Sequence, residues 1–138
     1  MSQNITVAVV VSAPVEKVWQ CWTRPEHITQ WCFASDDWCA PAATNDVRVG
    51  GVFTTRMEAK DGSTGFDFGG TYTTVVPEKI LEYTMNGDDA RKVSIQFSQE
   101  GESCKVTETF EAEGENPLEM QRSGWQSILD NFKKYTEA

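Results

Sequence analysis

Few side chains in this sequence have the type and spacing that chemistry needs. His27 is its single histidine. A serine or cysteine triad requires an imidazole base, so His27 would have to serve, yet its neighbours Arg24 and Glu26 offer no nucleophile. The four cysteines, Cys21, Cys32, Cys39 and Cys104, form no CxxC pair and match no common zinc spacing. They read as reduced, partly buried thiols, with a Cys32–Cys39 disulfide as the alternative. No metal and no cofactor is expected. Gly50-Gly51 precedes a strand and lacks the lysine and hydroxyl of a phosphate loop, so it reads as a hairpin turn.

Two carboxylates stand out by parity. Glu108 alternates in step with Val106 and Phe110, so it belongs on their inward face; Asp67 alternates against Phe66 and Phe68 and should meet water. A lone carboxyl in an apolar enclosure would hold its proton to high pH and could act as an acid, a base or a ligand anchor. The alternatives are a bulge that turns Glu108 outward, or a partner such as Arg122 or a lysine. Tyr72, Tyr83 and Arg56 are the other candidates for a polar set. The candidate wall around them is Trp31, Trp38, Phe53, Met57, Phe66, Phe68, Tyr72, Tyr83, Phe97, Trp125 and Leu129, with Glu108 among them. The same residues would serve equally as close-packed core. Gly124, beside Trp125, gives one helix a small patch that a ligand or a strand could approach.

The elements that must position these groups follow from periodicity. From Asn116 to Tyr135, the residues Leu118, Trp125, Ile128, Leu129 and Phe132 recur at helical spacing on one side. Asn116 is placed to cap, Pro117 to take the first helical position and Glu119 to complete a capping box. Such a rod is roughly 30 Å long and needs a broad apolar surface beneath it. Residues 3–11 form a β-branched run. Pro14 then opens a helix to about residue 23 with Val15, Val18, Trp19 and Trp22 on one face, and Pro25 opens a short second helix that turns Ile28 and Trp31 inward. Residues 32–43 have no period and read as a loop. Six further strands are expected, at about 44–49, 52–60, 64–76, 79–86, 91–99 and 104–112. Gly50-Gly51, Asp61-Gly62, Val76-Pro77-Glu78, Asn86-Gly87 and Glu100-Gly101 separate them, and such short connections favour antiparallel hairpins. Gly69-Gly70 inside a long strand marks a bend or bulge. The fold class is α+β: one curved seven-stranded antiparallel sheet with the last helix in its concave face.

Composition narrows the partners. The formal charge is −9, which disfavours nucleic acid and anionic membrane surfaces. No apolar stretch reaches the length of a membrane span, and the N-terminal VAVVV run has no basic flank, so it reads as a strand and not a signal peptide. A cytoplasmic location and one domain over residues 1–138 are the expectation.

Four segments together resemble the START-like helix-grip superfamily: APVEKVWQCWTRPEHITQW, DVRVGGVFTTRMEAKDG, FDFGGTYTTVVPEKILEY and GWQSILDNFKKY. Within it the chain is similar to the C-terminal domain of the heat-shock chaperone ATPase activator. The resemblance implies a seven-stranded sheet gripping a long C-terminal helix, with a cavity between them used for small apolar ligands. Three functions follow as expectations. The first is a non-enzymatic domain that binds a small apolar or aromatic ligand. The second is a regulator that contacts a heat-shock chaperone. The third is a cyclase- or hydrolase-like enzyme using Glu108, Tyr72 or His27.

Overall fold

The computed structural model describes residues 3–86 and 90–138. Along the described residues the order is β1 (Asn4–Val11), α1 (Val15–Thr23), α2 (Pro25–Ile28), β2 (Trp38–Asn45), β3 (Val52–Ala59), β4 (Gly65–Val76), β5 (Ile80–Met85), β6 (Lys92–Glu100), β7 (Ser103–Glu111) and α3 (Leu118–Glu137). The strands make one sheet in the order β1-β7-β6-β5-β4-β3-β2, with neighbours antiparallel. From β2 to β7 the chain is a simple meander. The two helices after β1 carry it from one edge of the sheet to the other. Gly62 and Gly101 sit in hairpin turns at φ 78° and 61°, a region that glycine enters without strain. Gly87, from the expected Asn86-Gly87 turn, lies outside the described residues.

Alternation along the strands sets the inner face. Phe53, Thr55 and Met57 of β3, Leu81 and Tyr83 of β5, and Val93, Ile95 and Phe97 of β6 are all buried. In β7, Cys104, Val106, Glu108 and Phe110 follow the same parity. Leu129 and Phe132 of α3 are fully enclosed and pack down on this surface with Val18 of α1. Burying a side chain of this size contributes about 1.5–3 kcal/mol. Around Phe132 the rings interlock: Trp22 and Trp31 meet it edge-on at 4.9 and 4.8 Å, and Trp22 and Trp19 meet Phe97 at 5.9 and 5.3 Å.

Several local expectations change. Half of the stretch read as a loop at 32–43 is strand, because β2 begins at Trp38. It is an edge strand, and the register with β3 slips between Cys39 and Ala42, which puts Pro41 in a bulge where no ladder N–H is required. The bulge of β4 is at Thr73, between the pairs Tyr72–Tyr83 and Thr74–Glu82, and not at Gly69-Gly70. The two glycines instead let neighbouring strands crowd in. A Cβ at Gly69 would lie 2.3 Å from the Phe53 carbonyl oxygen, and one at Gly70 would lie 2.5 Å from that of Thr84.

The start of α3 also differs. Pro117 is the capping residue and no side chain caps the helix. Glu119 is exposed, 3.8 Å from Arg122, and forms no capping box. Leu118 is 44% exposed, and the buried residue of the first turn and a half is Gln121. The Gln121 amide accepts from the Glu113 N–H at 2.9 Å and donates to the Asn116 carbonyl at 2.8 Å and the Glu113 carbonyl at 3.3 Å. Asn116 turns back to the Glu113 carboxylate. A buried amide here satisfies a loop that would otherwise leave backbone groups unpaired.

The body of α3 is tied to the open edge of β1. Arg122 donates to the Thr6 carbonyl at 2.8 Å, Gln126 to that of Ala8 at 3.1 Å and Lys133 to that of Val10 at 2.7 Å. Alternate carbonyls of an edge strand point outward, and the helix supplies one donor to each.

Candidate functional site

Where the C-terminal half of α3 closes on the core, its N-terminal half stands away from the sheet. The space left between them is a pocket of about 410 Å³. Gln121, Gly124, Trp125 and Ile128 of α3 form its roof, and β3 to β7 form its floor. Trp22, Ile28, Trp31 and Cys32 close the far end; exposed Phe66, Asn116 and Met120 mark the mouth, with Glu113 and Arg91 nearby. Trp125 lies flat on Phe110, centroids 3.9 Å apart at 11°, and this stack holds the roof at its height above the sheet. A Cβ at Gly124 would meet nothing within 4 Å.

Of the residues singled out from sequence, nine border this pocket: Trp31, Phe53, Met57, Phe66, Phe68, Tyr72, Tyr83, Glu108 and Trp125. Three do not. Phe97 is packed between Trp19 and Trp22, Leu129 is fully enclosed under α3, and Trp38 stands on edge strand β2 with its ring 6.0 Å from Phe66. Arg56 also leaves the polar set. It pairs with Glu58 at 3.1 Å and Asp67 at 3.5 Å on the outer, solvated face, where the parity of Asp67 puts that carboxylate.

Glu108 is 6% exposed. Neither alternative for it holds. The register runs unbroken through it, from Val7 on one side to Ile95 on the other, so no bulge turns it out. Arg122 is engaged with Thr6, and among the described residues no hydrogen bond or ion pair reaches the Glu108 carboxyl. Burial alone raises its pKa from 4.5 to about 8, so at neutral pH it is mostly the uncharged acid, able to donate as well as accept.

The groups facing it are neutral too. Burial, then the Glu108 charge, pushes the Cys32 thiol up to about 12, which removes it as a nucleophile. The Tyr83 phenol is raised by burial first and by Glu108 second. Tyr72, raised to about 12 by burial, donates to the Asn45 side-chain oxygen at 2.7 Å, and the Asn45 amide donates to the Thr23 carbonyl at 2.7 Å. That chain fixes the Tyr72 hydroxyl on the pocket wall. Asn45, Thr55, Cys32 and Gln121 are lining residues that sequence reasoning missed. Thr55 was legible from the parity of β3; the other three sit on an edge strand, a loop and a helix turn, where no period points inward.

His27 is elsewhere. Its Nδ1 lies 2.6 Å from the Tyr135 hydroxyl, joining α2 to the end of α3. All four cysteines are free, so the Cys32–Cys39 disulfide does not form. Among the described residues no group of three or more His, Cys, Asp or Glu is placed to hold a metal, and no helix is long and apolar enough to cross a membrane.

A family model described as Activator of Hsp90 ATPase homolog 1-like protein matches residues 12–137. The chain belongs to the Hsp90 ATPase activator homolog 1-like family. Solved structures agree. An activator-homolog-1-like protein from Aeromonas hydrophila is 43% identical with a TM-score of 0.91, over 98% of this chain and 92% of that one. A protein from Cytophaga hutchinsonii is 52% identical with a TM-score of 0.83, over 97% and 92%. One from Chromobacterium violaceum, 24% identical over 98% and 97%, shares the fold at a TM-score of 0.86. No curated protein matches the chain. The sheet that curls around a C-terminal helix is thus the helix-grip arrangement of the activator-like family.

Proposed function

We propose that this activator-like domain binds a small, largely apolar or aromatic molecule between α3 and the sheet. The observation that carries the reading is a ring-lined pocket of about 410 Å³ with a buried carboxyl in its wall. Specific sites for small molecules have this form, with apolar walls and few polar groups to fix orientation. A core built only for stability would gain by filling that space, and would not leave a carboxyl in it. Thermal shift and native mass spectrometry with a panel of lipids, polyketides and aromatic metabolites test the reading. A bound, stabilising member of the panel is expected; no binding by any class would sink it. A cytoplasmic setting, in which four free thiols stay reduced, belongs to the same proposal.

The family description supports a second reading, regulation of a heat-shock chaperone ATPase through protein contact. Pull-down and an ATPase assay with the host chaperone decide it, and unchanged ATPase rates would remove it. An enzymatic reading rests on Glu108 or Tyr72, since His27 does not border the pocket. Turnover that survives Glu108→Gln would exclude that residue as acid or base.

A further inference from the structure

Ligand binding between α3 and the sheet leaves open which chemistry is recognised, and the pocket's charges and rings bear on that. Glu108 is more than nine-tenths buried and points into the pocket with no hydrogen-bond or ion-pair partner among the described residues. Phe53, Phe68, Tyr72, Tyr83 and Trp125 stand around the same space. Their rings meet largely edge to face: Phe53–Tyr83 at 4.7 Å, Phe68–Tyr83 at 6.4 Å, Phe68–Trp125 at 6.1 Å. Ring faces carry partial negative charge and attract cations most strongly where water is excluded. The second carboxylate of the lining, Glu113, is at the mouth, and the whole chain carries −9. A field of that sign concentrates cations at a cleft and repels anions.

Resting on the ligand-binding reading above, we infer that the natural occupant is a hydrophobic amine, its ammonium set against Glu108 and its apolar body between Trp125 and the sheet. At the entrance the Arg91 guanidinium is held to the Glu111 carbonyl at 3.3 Å, so an anion would meet the Glu113 carboxylate there and a carboxyl inside. A neutral molecule could take a hydrogen bond from the carboxyl and pack on the rings, but it would forgo the attraction between a cation and the ring faces. The amine turns the carboxyl into a paired carboxylate, so binding transfers the Glu108 proton to solvent: acid plus ammonium becomes an ion pair plus a released proton. The other titratable groups facing this carboxyl are Cys32 before β2, Tyr72 of β4 and Tyr83 of β5, with Arg91 and Glu113 toward the mouth. The thiol and both phenols are neutral at pH 7 and stay so, because burial raises them all.

The test compares three probes of matched shape, naphthylmethylamine, naphthylmethanol and naphthylacetate, by isothermal titration at pH 7 in phosphate and in Tris. The amine is expected to bind at least about tenfold more tightly than the alcohol, and the acid more weakly than either. The difference between the two buffers should report release of about one proton per amine bound. Glu108→Gln should abolish both the amine preference and the proton release. The proton count on the unsubstituted chain stands even if that variant folds poorly. Alcohol or acid binding as tightly as the amine, or amine binding with no proton released, overturns the inference and leaves the ligand pocket standing. Failure of all three probes to bind overturns the inference, and the ligand pocket then stands or falls with the thermal-shift panel above.

Discussion

A carboxyl kept uncharged inside a protein ties stability to pH, and the sign can be worked out for Glu108. Its pKa is about 8 in the folded chain against an ordinary 4.5, so folding holds a proton that the unfolded chain sheds. The contribution is whole below about pH 4.5 and drains away as pH climbs through 8. Glu108→Gln removes the titration while keeping the shape. The variant is therefore expected to match the parent in acid and to exceed it by roughly 2–4 kcal/mol near pH 8, read from urea midpoints across the range. Equal midpoints at every pH would mean that Glu108 is solvated or paired in solution. Parity alone was enough to read this residue from sequence, because β7 alternates without interruption. The missing partner was not legible. Arg122 has the right charge and the right neighbourhood, and only the position of α3 shows that it is spent on the edge of β1.

The roof helix and the bulged strand β4 beneath it respond to substitution in opposite ways. Gly70→Ala places a methyl 2.5 Å from the Thr84 backbone oxygen, which cannot yield without parting β4 from β5. A loss of about 2–4 kcal/mol is expected by denaturant titration. Gly124→Leu, by contrast, starts from open space on a helix, so folding should hold or improve by up to about 1 kcal/mol while the pocket is plugged. Retained ligand binding in that variant would show that ligands enter elsewhere. Gln121→Leu leaves the Glu113 and Asn116 backbone without its amide; a loss of roughly 1–3 kcal/mol is expected, with faster hydrogen exchange at the Glu113 N–H. The helix itself was plain in the sequence from Trp125 to Phe132. Its first turn was not, since Leu118 fits the apolar stripe better than Gln121 does, and only the loop's need for hydrogen bonds reverses their order. β2 escaped for a related reason: an edge strand broken by Pro41 and padded with alanine has no alternation to see. The Thr73 bulge lies in a uniform β-branched run that gives no sign of where the register slips.

At the scale of the whole chain, the arrangement was legible because seven strand-like runs, short turns and one long amphipathic rod admit few packings. The division between filled core and open pocket was not. Phe97 and Leu129 carry the same inward pattern as Phe53 and Trp125; what separates them is that one half of α3 settles onto the sheet and the other is propped up by the Trp125–Phe110 stack. That helix also covers the outward carbonyls of Thr6, Ala8 and Val10. Arg122→Ala, Gln126→Ala and Lys133→Ala together should uncover them while α3 keeps its core contacts, and the chain should then associate through β1, which sedimentation would report as dimers or larger species; a stable monomer would show the cover to be dispensable. There is a consequence for synthesis. Among the described residues the first strand finds its one neighbour in the sheet in the last one, with pairs running from Val11–Cys104 to Asn4–Glu111. On a ribosome it must therefore wait, unpaired and sticky, until β7 has emerged, and a protecting factor that holds nascent apolar segments would matter more for this protein than for one whose opening strand pairs early.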